Sequence, residues 1–184
     1  MIKADWIFVF GLLVVLSITT FVNSFSKENE KMKRYEAVIA HPKVLLIHCS
    51  DPRFQVAFNG FIQGELGLKP GEFVAIVGAG GPGALAHPAT TSKMQDLKDQ
   101  IVFFLKHFPS IKKVVLINHQ DCGFYELIPN PQNKKENRER DDLPTAAEAV
   151  SYKLSAEGIQ GIVVEAYYAK FANANHDSII FERL

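Results

Sequence analysis

Residues 112–125 read KKVVLINHQDCGFY. An unbroken Val/Leu/Ile run between two lysines and a polar turn is the pattern of a strand buried on both faces, and such strands belong to parallel sheets. The strand, 112–118, ends at Asn118, and His119 and Cys122 follow at once. In an open parallel sheet, ligands collect at the carboxyl ends of the strands. This stretch therefore proposes both a fold and a place in it where chemistry can happen.

The flanking segments repeat the pattern. KVLLIH (43–48), EFVAIV (72–77) and QGIVVEAYYA (160–169) predict a first, second and fourth strand around the third. Between them, PRFQVAFNGFIQGELG (52–67) predicts a helix. SKMQDLKDQIVFFLKHF (92–108) predicts a second, opened by a Ser92/Gln95 capping box, and TAAEAVSYKLSAEG (145–158) a third, opened in the same way by Thr145 and Glu148. The order β-α-β-α-β-α-β predicts an α/β fold: a three-layer domain with a central, mainly parallel sheet of four to five strands flanked by helices. SIIFER (178–183) is a candidate short edge strand. IPNPQNKKENRERDD (128–142), charged and proline-bearing, reads as a surface loop. No internal repeat is visible.

Composition narrows the function. The chain has 184 residues, 47% of them hydrophobic, which suits one globular domain with a sizeable core. Twenty basic and twenty acidic residues cancel, so no charge excess attracts nucleic acid or anionic lipid. WIFVFGLLVVLSITTFV (6–22) is a different material, an apolar run long enough for a signal peptide or a short membrane anchor. The expected division is 1–24 as signal or anchor and 25–184 as the soluble domain, with the protein exported or membrane-associated. Ser24 suits cleavage, whereas Lys27, Lys31, Lys33 and Arg34 favour a cytoplasmic domain, so the side of the membrane stays open. Met32 also opens a sequence that would be complete without the apolar run.

VGAGGPG (77–83) has the G-x-G-x-x-G spacing of a dinucleotide-binding turn. Its surroundings argue against that use. Pro88 stops any helix soon after the glycines, and the acids at the right distance, Asp96 and Asp99, fall inside the next helix. A tight turn with close backbone approach is the better reading.

Cys49, with Asp51 and Arg53 just beyond it, ends the first strand as His119 and Cys122 end the third. A parallel sheet brings these ends to one edge, so residues about seventy positions apart converge. Two thiolates and an imidazole suit zinc, with a fourth tetrahedral position left for water, as in catalytic sites. Such a zinc lowers the pKa of bound water and makes hydroxide available as a nucleophile, which Asp51, paired with Arg53, would orient. Plainer readings stand beside this one. Cys49 alone suits a small core hydrophobe. Asp51-Pro52 suits a helix N-cap and N1, and Arg53 a solvated charge. His41, His48, His87, His107 and His176 read as structural or surface residues, with His48 facing away from Cys49 by strand alternation.

CSDPR (49–53) resembles the C-x-D-x-R motif of the β-class carbonic anhydrases, and HQDCG (119–123) resembles their H-x-x-C-G motif. LKPGEFVAIVGAGG (68–81) is similar to the family's second strand and the loop after it, so the likeness covers about Lys43 to Phe171. The resemblance implies Cys49, His119 and Cys122 as zinc ligands, Asp51 and Arg53 as a catalytic dyad, reversible hydration of CO₂ to bicarbonate, and a homodimer. It also makes the glycines of 77–83 a wall of the zinc pocket. Val77-Gly78 stands where typical members carry Arg-Asn, the long N-terminal helices of those members are missing and the tail is short, so the chain is more similar to a shorter branch of the family. Two other readings stay open: a hydrolase of carbonyl sulfide or carbon disulfide, and a catalytically silent zinc-binding module at a membrane.

Overall fold

A computed structural model describes residues 35–87, 90–129 and 137–184. Val38–Leu184 forms one compact unit. The apolar run 6–22 and the expected boundary at 24 lie outside the described residues. Among the described residues, no helix is long and apolar enough to cross a membrane.

Five strands make one sheet: β1 (Val44–Cys49), β2 (Phe73–Gly78), β3 (Lys113–His119), β4 (Val163–Phe171) and β5 (Ile179–Arg183). Their spatial order is β2-β1-β3-β4-β5, with the first four parallel and β5 antiparallel on the β4 edge. The expected fold class, including the edge strand, is thus what the chain adopts. β1 and β3 are central, and all six residues of β1 are buried, which explains their continuous apolar composition.

Alternation along the strands sorts the core into two layers. Leu45, Ile47, Val114 and Leu116 face α2 (Thr91–His107) and α3 (Arg138–Ala156), which bury Leu97, Ile101 and Leu105, and Leu143, Ala146, Val150 and Leu154. Leu46, Val115 and Ile117 face α1 (Gln55–Gly64) and the aromatic group Phe54, Phe58 and Phe61. Phe58, Phe61 and Ile62 form the buried stripe of α1 at helical spacing. α2 stops just before Phe108-Pro109, where the proline disfavours helix in the residue ahead of it.

Several local expectations are corrected. α1 begins at Gln55 rather than Pro52, and Asp51 is not its N-cap: its carboxylate accepts the Arg53 N–H at 2.9 Å and closes a separate turn. The Ser92/Gln95 box does not form. α2 starts at Thr91, the Thr90 hydroxyl donates to the carbonyls of Ala84 and His87, and the Gln95 amide donates to Asp99. The Thr145/Glu148 box fails for another reason. α3 starts at Arg138, with Pro144 inside it, so residues 138–142 are helix instead of surface loop. From this end of the helix, Arg138, Glu139 and Asp142 make side-chain contacts to Tyr125, Cys122 and His87.

Candidate metal centre

The ends of β1 and β3 meet as the parallel arrangement requires. Cys49 is the last residue of β1 and His119 the last of β3, while Cys122 follows a tight turn in which Asp121 adopts φ +56°. Asp is among the few side chains that tolerate this left-handed conformation. The ligand atoms of Cys49, His119 and Cys122 all lie within 4.8 Å of one another, and all three residues are buried. This group can hold a metal ion.

Three observations test that fit. The Sγ atoms of Cys49 and Cys122 are 3.8 Å apart and unbonded. Two sulfurs at the usual Zn–S length of about 2.3 Å and a tetrahedral angle would be about 3.8 Å apart. His119 Nδ1 donates to the Gln120 carbonyl at 2.8 Å, which leaves Nε2 as the ring's lone-pair atom; Nε2 is fully buried with no hydrogen-bond partner. An imidazole anchored through one nitrogen with the other bare is the arrangement of a metal ligand. The donor set, two sulfurs and one imidazole, suits zinc.

The surroundings favour negative charge on the Cys49 sulfur. Hydrogen bonding from Cys122 pulls the Cys49 thiol down against the opposing effect of burial, and the Gly80 N–H, 3.4 Å from Cys49 Sγ, acts in the same direction. The Cys49 contact and burial together push the Cys122 thiol up. Gly80 is at φ +86°, and a Cβ there would lie 2.3 Å from the Phe124 ring; at Gly81, φ +49°, it would lie 2.8 Å from the Cys49 nitrogen. The glycines of 77–83 thus do what their backbone freedom permits: they bring main chain against the first cysteine.

Asp51 and Arg53 form a bidentate pair beside the group. Arg53 Nη2 donates to Asp51 Oδ2 at 2.7 Å and Nε to Oδ1 at 3.1 Å, while Nη2 also donates to the Asp121 carbonyl at 2.9 Å. The guanidinium holds the Asp51 carboxyl below the usual carboxylate range. Asp51 Oδ2 lies 3.9 Å from His119 Nε2. The turn is fixed from beneath by the Gln55 amide, which donates to the carbonyls of Cys49 and Asp51 at 3.0 and 2.8 Å.

The other histidines separate from the site. His48 is buried on the α1 side against Phe58, donates to the Cys49 carbonyl, and is pushed below its ordinary pKa by burial. His87 pairs with Asp142 at 2.5 Å. Tyr125 shares a small buried cluster with both cysteines, and its hydroxyl accepts from Asn118 Nδ2 at 2.8 Å. Glu139 Oε1 accepts the Cys122 N–H at 3.2 Å, and burial pushes its carboxyl up. Gln55, Asn118, Glu139 and Asp142 were not singled out from sequence. Asn118 alone carried a signal, a lone amide closing a buried apolar strand.

No protein-family model and no curated protein matches the chain in sequence. Solved structures do match. The β-carbonic anhydrase isoform I of the protozoan Trichomonas vaginalis aligns at TM-score 0.50 and 13% identity over 92% of this chain and 96% of that one. The carbonic anhydrase of Streptococcus mutans aligns at 0.49 and 15% over 90% and 96%. A β-carbonic anhydrase of the fungal pathogen Aspergillus fumigatus aligns at 0.45 and 20% over 94% and 89%. The protozoan enzyme, matched over nearly the whole of both chains, shows that the domain has the fold of a β-carbonic anhydrase.

Proposed function

We propose that the chain is a zinc-dependent carbonic anhydrase-like enzyme that interconverts CO₂ and water with bicarbonate and a proton. The observation that carries the reading is the buried Cys49–His119–Cys122 group with an arginine-paired carboxylate 3.9 Å from its imidazole. Cys49 Sγ, Cys122 Sγ and His119 Nε2 would hold the metal. Zinc bound there supplies a water acidic enough to furnish a nucleophile near neutral pH.

The remaining work falls to the chain's own groups. Asp51, kept ionised by Arg53, can only accept hydrogen bonds, so Oδ2 would accept the O–H of the nucleophile and orient its lone pair toward the carbon of CO₂. Arg53 fixes the carboxylate through two nitrogens and ties it to the Asp121 carbonyl, so that the two ligand-bearing turns share one support. The Gly80 N–H steadies the Cys49 sulfur. The Phe54 ring, 4.3 Å from the His119 ring, keeps that imidazole in an apolar wall away from bulk water.

We take the chain to act as a homodimer, with residues 6–22 serving as export signal or membrane anchor. The test is stopped-flow CO₂ hydration on the full chain, with zinc quantified on the same sample. Turnover that follows zinc content is expected. Stoichiometric zinc with turnover of carbonyl sulfide or carbon disulfide alone would make it a hydrolase, and with turnover of none of the three a silent zinc-binding module.

A further inference from the structure

We propose that the N-terminal stretch Arg138–Asp142 of α3 is the positioning element of the metal centre: Glu139 holds Cys122 through its backbone, and Asp142 holds, through His87, the segment that presents Gly80 to Cys49. The inference rests on the metal reading above. It concerns residues that touch no ligand atom.

Three side chains of this stretch reach three separate walls of the site. Arg138 donates from Nη1 to the Tyr125 carbonyl at 3.0 Å and from Nη2 to the carbonyls of Ile128 and Pro129, and its guanidinium lies 5.5 Å over the Tyr125 ring. Glu139 accepts the Cys122 N–H with its carboxylate and the Asn118 amide, at 2.8 Å, with its carbonyl; Asn118 immediately precedes His119. Asp142 pairs with His87, which closes the 3₁₀ segment Gly81–Ala86, and Gly80 is the residue that opens it. Glu139 and Asp142 are three residues apart and so share a helix face. One helix end thus supports the Cys122 turn directly and, through His87, the segment whose Gly80 N–H meets Cys49 Sγ.

Local signals at this helix start are divided: Glu139 and Asp141 place acidic side chains in the first turn, which a helix N-terminus favours. Its N-cap, Asn137, is left-handed with no side-chain cap, and Pro144 removes a hydrogen-bond donor one turn further on. Where local signals conflict, tertiary partners help decide the conformation, and places where a local rule loses are commonly functional. Groups that orient metal ligands without touching the metal typically change affinity about 10- to 100-fold when removed.

The test is cobalt(II) titration of the full chain, read by the thiolate-to-cobalt charge-transfer band, with circular dichroism and melting recorded on each protein. Glu139→Ala is expected to weaken cobalt binding about 10- to 100-fold and alter the band. Glu139→Gln, whose amide oxygen still accepts the Cys122 N–H, restores most of the affinity. Asp142→Ala weakens binding in the same direction, whereas Glu148→Ala, on the exposed side of the same helix, leaves it unchanged. Lowered melting with unaltered affinity and band in both alanine variants would reduce the stretch to a structural role and overturn the proposal. Should Glu139→Ala fail to fold, Asp142→Ala decides alone. Absence of the band in the unmutated chain would overturn the metal reading, and this one with it.

Discussion

Replacing Gly80 with alanine is a sharp test of how the glycine loop is built. The residue sits at φ +86°, and its Cβ would fall 2.3 Å from Cγ and Cδ1 of Phe124 and 2.9 Å from Cβ of the same side chain. A left-handed conformation costs an alanine about 1–2 kcal/mol. Forcing a methyl into an occupied position costs about 1–3 kcal/mol more. Phe124 cannot swing aside cheaply, because the clash reaches its own Cβ and Lys93 Nζ lies 4.4 Å over its ring. The sum, about 2–5 kcal/mol, corresponds to a fall in melting temperature of roughly 4–20 °C for a domain of this size. The two contributions separate in a double-mutant cycle: Phe124→Ala removes the steric part and leaves the backbone part, so the coupling should be about 1–3 kcal/mol in the direction of rescue. Guanidinium unfolding of the four proteins, reduced and with chelator present, measures this without any contribution from metal. A cost for Gly80→Ala that is the same with and without the Phe124 ring would refute the contact.

Three further outcomes are expected. Asp51→Asn keeps zinc and the fold but loses most CO₂ hydration, since the amide retains shape and loses the charge that accepts the O–H; unchanged turnover in stopped flow would limit Asp51 to closing its turn. Leu143→Ala empties a fully buried site and should cost about 2–5 kcal/mol in guanidinium unfolding, whereas a value under 1 kcal/mol would show that α3 does not pack there. Glu157 is held below the usual carboxylate range by Lys106 and then Lys153, so its contribution is present above the unfolded pKa, about 4.3, and lost as pH falls through the lower folded value. The melting difference between the unmutated chain and Glu157→Gln at low salt should therefore be small at pH 7 and shrink toward zero in acid; a difference that grows in acid would contradict the pairing.

Strand positions were legible because burial on both faces leaves an unmistakable composition, as in VLLI at 44–47 and VVLI at 114–117. The predicted ranges of the first and third strands stop one residue short: Cys49 and His119 look like turn residues yet still belong to the ladder. The converging cysteines and histidine followed from parallel topology alone. Helix starts were less legible, because a capping signature says only that a cap is possible. Asp51 had a stronger partner in Arg53, and Thr90 had carbonyls to bind ahead of Ser92. The charged run ending in Asp142 was opaque for the same reason it matters. Nothing in RERDD marks a buried role, and only the fold brings Glu139 to Cys122 and Asp142 to His87.

Zinc-edge X-ray absorption on the purified full chain tests the metal centre directly. Two sulfurs at about 2.3 Å and one imidazole nitrogen at about 2.0–2.1 Å are predicted, with the sulfur signal and most of the zinc lost in Cys122→Ser. A zinc shell of oxygen and nitrogen only, or full occupancy in both Cys122→Ser and His119→Ala, would contradict it.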